Sequence, residues 1–144
     1  MARHFRLTAD GGSRGNPGIA AGGAVVIDDS TGLVLAQIGV YVGHATNNVA
    51  EYTGMVAGLK FALEHSSDDV TILVRMDSKL VVEQMSGRWK IKHPDMAGLA
   101  AEARKLIGHR TVSFEWVPRL DNSRADAVAN RSMDLKESFI LPAS

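Results

Sequence analysis

The sequence predicts an α/β fold in which helices cover the faces of a five-stranded mixed sheet. Hydrophobic residues alternate in several short segments and recur with helical spacing in others. The two kinds of segment are interleaved along 144 residues, without an internal repeat or a long linker. Short connections join the first three strands, whereas helices separate the later ones. We therefore predict a three-strand antiparallel meander plus two parallel strands.

The first three strands are separated by turn-forming residues. A strand is predicted over residues 4–9, where apolar and polar side chains alternate. A Gly-rich turn over residues 11–18 follows it. Two further strands, over residues 22–27 and 33–42, flank the turn cluster at residues 28–32.

The second half of the chain alternates between helical and strand patterns. Helical spacing extends over residues 48–65, and glycines within it predict close packing against the sheet. A run of Val, Ile and Leu over residues 70–76 predicts a central strand that is covered on both sides. The later predicted elements are a helix over residues 79–85, a helix that begins at Pro94, a strand over residues 112–117 and a helix over residues 123–136.

The composition is that of one globular domain, with 45% hydrophobic and 22% charged residues. We assign residues 1–137 to this domain and residues 138–144 to a C-terminal tail or the start of a linker. No segment approaches the roughly 20 apolar residues of a bilayer span, so no membrane association is expected. The absence of cysteine favours a cytoplasmic location. A net charge of +0 requires that any polyanion be bound by a local patch.

Four acidic residues lie inside distinctive segments of the chain. They are Asp10 in Asp-Gly-Gly, Glu51 in Asn-Asn-Val-Ala-Glu, Asp77 in Met-Asp-Ser and Asp126 in Arg-Ala-Asp. Taken singly, each is explained as a turn former or as an acid that complements a helix dipole. The predicted elements place Asp10 and Asp77 at strand ends, and Glu51 and Asp126 in the first turns of helices. In an open sheet, the ends of strands and the starts of helices meet at one edge. Buried carboxylates repel one another unless cations neutralise them, so this cluster predicts a site for Mg²⁺ or Mn²⁺.

These segments resemble the signature segments of type I ribonuclease H. The resemblance extends from Phe5 to about Asp134, in the family's order of strands and helices, and the segments that carry it are residues 10–18, 46–51, 76–78 and 124–126. It implies a ribonuclease H-like fold and an endonuclease that hydrolyses the RNA strand of RNA–DNA hybrids, leaving 5′-phosphate and 3′-hydroxyl ends. It also implies that the four acids are both the catalytic residues and the ligands of two Mg²⁺ ions about 4 Å apart, for which Mn²⁺ can substitute.

The same resemblance implies a set of substrate-binding residues. Asn16, Asn47 and Asn48 would contact the minor groove of the hybrid, because amides both donate to and accept from hydroxyls and base edges. Gly11 and Gly12 lack a Cβ and would allow close backbone approach to the RNA. The asparagines are equally well explained as turn and cap residues.

Three more residues are candidates for contacts with the nucleic acid. Thr46 matches a family position that binds a phosphate of the DNA strand, and His44 lies near the position where some relatives have a basic partner. Trp89 lies among the basic residues of segment 87–93, where it either stacks on the nucleic acid or packs into the core. This segment is shorter than the basic protrusion of many family members, which indicates weaker affinity for the hybrid.

The loop over residues 117–123 lacks the histidine that better-known members carry before the last acid. The sequence therefore resembles the histidine-free branch of the family, which includes archaeal-type and actinobacterial-type enzymes. Arg119 supplies positive charge near the phosphate in this interpretation, but it cannot act as a base.

Three other functions fit the same predicted fold. A non-catalytic hybrid- or RNA-binding domain is disfavoured by the intact set of four acids. A resolvase or integrase-like nuclease is disfavoured by the Thr-Asn-Asn and Asp-Gly-Gly-Ser segments, which favour an enzyme that recognises 2′-hydroxyls. The third is a small-molecule phosphohydrolase. Some relatives carry a histidine-phosphatase domain after this one, but this sequence has no Arg-His-Gly motif. We expect a phosphatase activity to be absent from this sequence and the domain to be monomeric. If a C-terminal phosphatase-like domain follows, this domain is part of a longer chain.

Overall fold

A six-stranded mixed sheet forms the centre of the protein, with helices on both faces. The computed structural model describes residues 3–142. Its elements, in chain order, are β1 (His4–Arg14), β2 (Gly18–Asp28), β3 (Leu33–Ala45), α1 (Asn47–Glu64), β4 (Thr71–Met76), α2 (Lys79–Met85), α3 (Pro94–Ile107), β5 (Val112–Trp116), a 3₁₀ helix (Arg119–Asn122), α4 (Ser123–Leu135) and β6 (Phe139–Pro142).

The strands lie in the order β5-β4-β1-β2-β3-β6. β1, β2 and β3 pair as an antiparallel meander, and β4 and β5 extend the sheet parallel to β1. Helices α2 and α3 join β4 to β5, as parallel neighbours require a crossover connection. The predicted α/β class, the meander and the two parallel strands are therefore confirmed.

The predicted count of five strands is wrong, because Phe139–Pro142 forms a sixth. β6 pairs antiparallel with β3, from Ala36 opposite Pro142 to Gly39 opposite Phe139. Its side chains alternate between half-buried and exposed. Four residues that end in proline give a weak local signal, and the pairing depends on an edge strand from a distant part of the chain. The assignment of residues 138–144 to a tail or linker stays a prediction, and residues 143–144 lie outside the described part.

The Gly-rich segment also differs from its prediction. β1 continues to Arg14, which pairs with Ile19 of β2, so the turn is confined to residues 15–17 rather than 11–18. Gly11 and Gly12 lie inside the ladder. These two glycines are therefore part of an extended strand, whereas the glycine content of the segment predicted a turn.

The main core lies between the sheet and helices α1, α2 and α3. Its fully buried side chains include Leu7, Tyr52, Met55, Leu59 and Ile72. Helix α4 covers the opposite face, where Val128 packs against Val25 and Ile27. β2 is buried on both faces because a helix lies on each side of it. Within residues 3–142, no helix is both long and apolar enough to cross a bilayer.

Candidate active site

Glycines on β2 allow helices to approach both faces of the sheet closely. A Cβ at Gly22 would lie 2.4 Å from the backbone nitrogen of Gly54 on α1. A Cβ at Gly23 would lie 2.6 Å from the carbonyl oxygen of Ala125 on α4. Backbone atoms cannot rotate away as a side chain can, so larger residues here would force both helices off the sheet. These two contacts bring α1 and α4 to opposite sides of the same strand.

Asp10 and Asp77 meet where the parallel pairing between β1 and β4 ends. The last paired residues are Ala9 and Met76, so the two aspartates follow them on neighbouring strands. Asp10 lies within β1 rather than at its end, contrary to prediction, because β1 continues to pair with β2.

The two helices carry the other acids to the same place. Asp126 lies in the first turn of α4, as predicted. Glu51 lies in the second turn of α1, whereas the first turn was predicted. Gly11 fixes this helix against β1, since a Cβ there would lie 2.3 Å from the carbonyl carbon of Ala50 and 2.3 Å from the nitrogen of Glu51. The space that the missing Gly11 side chain leaves is therefore occupied by α1.

All four predicted acids line one cavity of about 310 Å³, together with Asn47 and Arg119. The predicted convergence at one edge of the sheet is therefore present. A larger cavity of about 450 Å³ lies between α1, β3 and β6, but its lining is mostly apolar, with Glu64 as its one acid. The first cavity is the one whose side chains can support metal-dependent chemistry.

Burial and mutual repulsion raise the pKa values of two of these acids. Burial, with the nearby charge of Asp77, raises the pKa of Asp10 to about 8, and a hydrogen bond shared with Asp126 adds to the effect. Burial also raises the pKa of Glu51 to about 7, against an opposing hydrogen bond from Ser78. Such carboxyls hold protons when no cation is present, and a bound cation takes the place of those protons.

Asn122 connects the strands that carry the two aspartates. Its side-chain amide donates to Oδ1 of Asp77 at 2.8 Å and to the carbonyl oxygen of Ala9 at 2.8 Å. Asn122 is 2% exposed and directly precedes α4, which carries Asp126. Trp116 donates from Nε1 to the carbonyl oxygen of Asp77 at 3.1 Å. Together these contacts fix both the side chain and the backbone of Asp77.

The donor set fits a hard divalent cation. Four carboxylates and two asparagines, Asn47 and Asn130, supply oxygen ligands only, which Mg²⁺ and Mn²⁺ prefer. In the described part of the chain, no three His, Cys, Asp or Glu side chains lie so that they could hold a metal ion by themselves. Mg²⁺ retains several waters and is bound by one or two carboxylates together with substrate phosphates. An open cavity lined by carboxylates therefore fits this ion better than a closed cage.

A chain of hydrogen bonds joins the turn after β1 to the start of α1. The Asn16 side-chain oxygen accepts from the backbone nitrogen of Asn47 at 3.1 Å, and the Asn47 side-chain oxygen accepts from that of Ser13 at 2.7 Å. Thr46 caps α1 by accepting from the nitrogen of Val49 at 3.3 Å. The turn and cap roles are thus present, and they hold Asn47 in the cavity wall. Contacts of these residues with a substrate stay predictions.

The remaining predicted substrate residues differ in location. Gly12 and Arg119 line the cavity, whereas Asn48, His44 and Trp89 do not. Asn48 and His44 are exposed. Trp89 is 46% exposed, so the alternative that it packs into the core is wrong. Their part in substrate binding stays a prediction.

Sequence analysis missed several residues that support the acids. Besides Asn122, they are Ser78, Arg14 and Asn130. Arg14 lines the cavity and forms an ion pair of 2.7 Å with Asp134. Asn130 donates to the carbonyl oxygen of Asp126 at 3.0 Å. Ser78 directly follows an acid in the sequence, which was a usable signal, but no local pattern marks a buried asparagine.

Comparison with known proteins identifies several relatives. A family model described as "Reverse transcriptase-like" matches residues 8–132. The bifunctional protein Rv2228c of Mycobacterium tuberculosis is 53% identical over 89% of this chain, which spans 35% of that protein. Ribonuclease HI of Halobacterium salinarum is 44% identical over 87% of this chain and 62% of its own length. The chain thus spans about a third of the mycobacterial relative and less than two thirds of the archaeal one.

Solved structures of similar proteins have the same fold. The N-terminal RNase H domain of Rv2228c from M. tuberculosis superposes with a TM-score of 0.87 at 50% identity, covering 93% of this chain and 96% of that one. LC11-RNase H1, solved in complex with an RNA/DNA hybrid, superposes with a TM-score of 0.86 at 35% identity, covering 92% and 98%. Both similarities extend over more than nine tenths of this chain.

Proposed function

The chain belongs to the type 1 ribonuclease H family, and we propose that it is an endonuclease that hydrolyses the RNA strand of RNA–DNA hybrids. The observation that carries this proposal is the convergence of four carboxylates from four separate elements in one cavity. A similar protein of known structure, LC11-RNase H1, was solved with an RNA/DNA hybrid. The products would have 5′-phosphate and 3′-hydroxyl ends.

We assign both catalysis and metal binding to Asp10, Glu51, Asp77 and Asp126. Two Mg²⁺ ions held there, or Mn²⁺ in their place, would activate a water as the nucleophile and stabilise negative charge on the leaving 3′ oxygen. Asp10 is the most buried of the four, at 7% exposed. Two other acids of the set influence its pKa. Asp10 is therefore the acid best placed to be shared between two ions.

The surrounding side chains orient the acids and contribute charge. Asn122 holds one oxygen of Asp77, and the Ser78 hydroxyl lowers the pKa of the Glu51 carboxyl. Arg119 lies in the same cavity wall, where its guanidinium would attract the phosphate group. Because arginine does not deprotonate in proteins, Arg119 supplies charge and not base catalysis.

Specificity for RNA would come from groups that read the 2′-hydroxyl. Asn16, Asn47 and Asn48 supply amides close to the start of α1, and Thr46 lies beside them. Gly12 leaves open space in the cavity wall, since a Cβ there would meet only the Met133 side chain, at 3.5 Å. Exposed His44 and Trp89 are candidates for contacts further along the hybrid, beyond the cavity.

Some relatives are longer than this chain, and they suggest how the chain is divided into domains. Rv2228c is described as bifunctional, and this chain matches 35% of it. We propose that residues 1–137 form the ribonuclease H domain. Residues 138–144, which include β6, form either a C-terminal tail or the start of a linker towards a phosphatase-like domain in a longer chain. The monomeric state and the cytoplasmic location belong to the same proposal.

A cleavage assay with three duplexes tests the activity. Labelled RNA–DNA hybrid, double-stranded RNA and double-stranded DNA are incubated with Mg²⁺, Mn²⁺ or EDTA. We expect cleavage of the RNA strand of the hybrid alone, and only with a divalent metal. Cutting of the DNA duplex would favour a resolvase-like enzyme, and metal-independent binding of the hybrid without cleavage would favour a non-catalytic domain.

The Asp10→Asn variant is the matched control. It replaces an ionisable carboxyl with an amide of nearly the same size, so the fold should remain intact. We expect it to lose nearly all hydrolysis while the circular dichroism spectrum stays unchanged. Near-normal turnover by a folded Asp10→Asn protein would refute the assigned role of this carboxylate.

A further inference from the structure

A second polar cavity, of about 520 Å³, lies on the same face of the sheet as the catalytic acids. Thr8 of β1 and Arg75 of β4 line it, and they are paired neighbours in the sheet. Side chains two residues apart on a strand share a face. Asp10 therefore follows Thr8 on this face, about 7 Å further along β1. Asn122 lies in the walls of the second cavity and contacts the first through Asp77.

Three arginines line this second cavity: Arg6, Arg75 and Arg124. Asp121 is the one acid in its wall. Among residues 3–142, Arg124 forms no ion pair with an acid. The lining therefore has an excess of positive charge that faces the cavity.

The partners of the other two arginines lie outside the cavity wall. Arg6 contacts Asp29 at 3.6 Å, and Arg75 contacts Glu115 at 3.1 Å. The first of these distances is long for a hydrogen bond. Each guanidinium has further N–H groups besides the one that is paired, so both arginines retain donors for a ligand.

Buried polar atoms without partners are concentrated in the same wall. Arg6 Nε, Thr8 Oγ1 and Asn122 Oδ1 are buried and form no hydrogen bond, and they are three of the four such side-chain atoms in the described residues. Thr8 and Asn122 are 9% and 2% exposed. Buried polar groups are almost always paired in proteins, so a cluster of unpaired ones favours a ligand that can hydrogen-bond to them.

The start of α4 also lies in this wall. Ser123, the first residue of the helix, lines the cavity, and the side chain of Asn122 does not cap the helix. An uncapped helix N-terminus presents backbone N–H groups and a partial positive charge, which favour an anion. The helix terminus and the unpaired Thr8 hydroxyl are independent features that both favour an oxyanion.

We propose that this second cavity binds a phosphate group. Guanidinium groups match the oxygens of phosphate in a bidentate geometry, and a threonine hydroxyl adds a donor. Asn122 Oδ1 only accepts, so it would pair with a phosphate proton or with a bridging water. The volume is that of a small-molecule site rather than of a single ion. The phosphate is therefore carried by a larger group, either a nucleic acid backbone, as a diester, or a free phosphomonoester. This proposal does not depend on hydrolysis in the catalytic cavity.

Nuclear magnetic resonance of the full chain tests the site directly. The arginine Nε–H signals are followed at constant ionic strength and in EDTA, so that metal and general salt effects are excluded. The probes are inorganic phosphate and a short DNA strand with unphosphorylated ends. We expect a saturable shift of the Arg6 signal with at least one probe, and the tighter-binding probe identifies whether a monoester or a diester is the ligand.

Two charge-removing variants and one control make the test specific. Arg75→Gln and Arg124→Gln should each weaken phosphate binding about tenfold, because each removes charge-assisted hydrogen bonds. Lys105→Gln removes the same charge from an exposed position on α3 and should bind normally. The proposal fails if neither probe gives a saturable shift, or if both arginine variants bind as the control does. Thermal unfolding of each variant verifies that it is folded.

Discussion

Replacing Gly11 with alanine tests how the fold positions the four acids of the cavity. The added Cβ would lie 2.3 Å from the carbonyl carbon of Ala50, 2.3 Å from the nitrogen of Glu51 and 2.5 Å from the carbonyl oxygen of Ala50. Carbon atoms pack at about 3.5–4.0 Å, so α1 must move by roughly 1 Å relative to β1. These atoms belong to the backbone, and no change of rotamer can relieve the contact.

The magnitude follows from this displacement. Overpacking a core costs about 1–3 kcal/mol, and we expect the upper end because two backbones are forced apart. For a domain near 150 residues, about 3 kcal/mol lowers Tm by roughly 6–12 °C. Because the displaced helix carries Glu51, activity should fall as well, by about 100-fold for a shift of this size.

The adjacent glycine supplies the matched control. A Cβ at Gly12 would lie 3.5 Å from Cε of Met133, which is an ordinary contact with a flexible side chain. Gly12→Ala should therefore keep Tm within about 2 °C of the parent, as for substitutions without a clash. Its effect should be confined to KM for the hybrid, since Gly12 lines the cavity. Thermal unfolding by circular dichroism and steady-state cleavage of the hybrid measure both effects. Equal Tm values for the two variants would refute the reasoning.

Further predictions concern protonation, orientation and charge. The raised pKa of Asp10, about 8 against 3.8 ordinarily, means that the folded, metal-free protein retains a proton that the unfolded chain has lost. Its stability should therefore fall as pH rises from about 4 to about 8. Asp10→Asn should reduce that slope in thermal unfolding with EDTA and leave the part that Glu51 contributes below about pH 7. Apparent Mg²⁺ affinity should rise over pH 6 to 8 as the carboxyls of Asp10 and Glu51 lose their protons, by up to about tenfold per pH unit for each proton released. A pH-independent affinity by calorimetry would contradict this. Asn122→Ala should cost about 2–3 kcal/mol in urea unfolding, because it leaves the half-buried Asp77 carboxylate and the buried Ala9 carbonyl without this donor, and it should lower kcat more than it raises KM. Reversing the charges of exposed Lys90 and Lys92 should raise KM and flatten its dependence on salt; an unchanged KM would assign this segment a structural role only.

The element types were largely readable from the sequence, because periodicity is a local property. The run of Val, Ile and Leu before Asp77 and the alternation before Asp10 gave both central strands. The elements that were misjudged depend on distant partners. β6 exists because β3 presents an unpaired edge, and the Gly-rich part of β1 is extended because β2 pairs with it.

The residues that support the acids also depend on contacts between distant parts of the chain. Asn122 lies in a polar loop by sequence, yet it is 2% exposed and binds Asp77. Its burial results from the packing of β1, β4 and the start of α4, which are far apart in the chain. The exposure of Trp89 was equally undecidable, since a tryptophan among basic residues fits either a surface or a core position.

The sequence by itself determined the α/β class, the identity of the four acids and the family that they indicate, because each of these is encoded in short contiguous segments. Only the tertiary structure decided how closely those acids meet. Their separation depends on the glycine contacts of β1 and β2 with α1 and α4, where backbone approaches backbone. The raised pKa values of Asp10 and Glu51 follow from the same packing, because they require both burial and a neighbouring charge. A local sequence pattern specifies neither, since both depend on which residues the completed fold brings together.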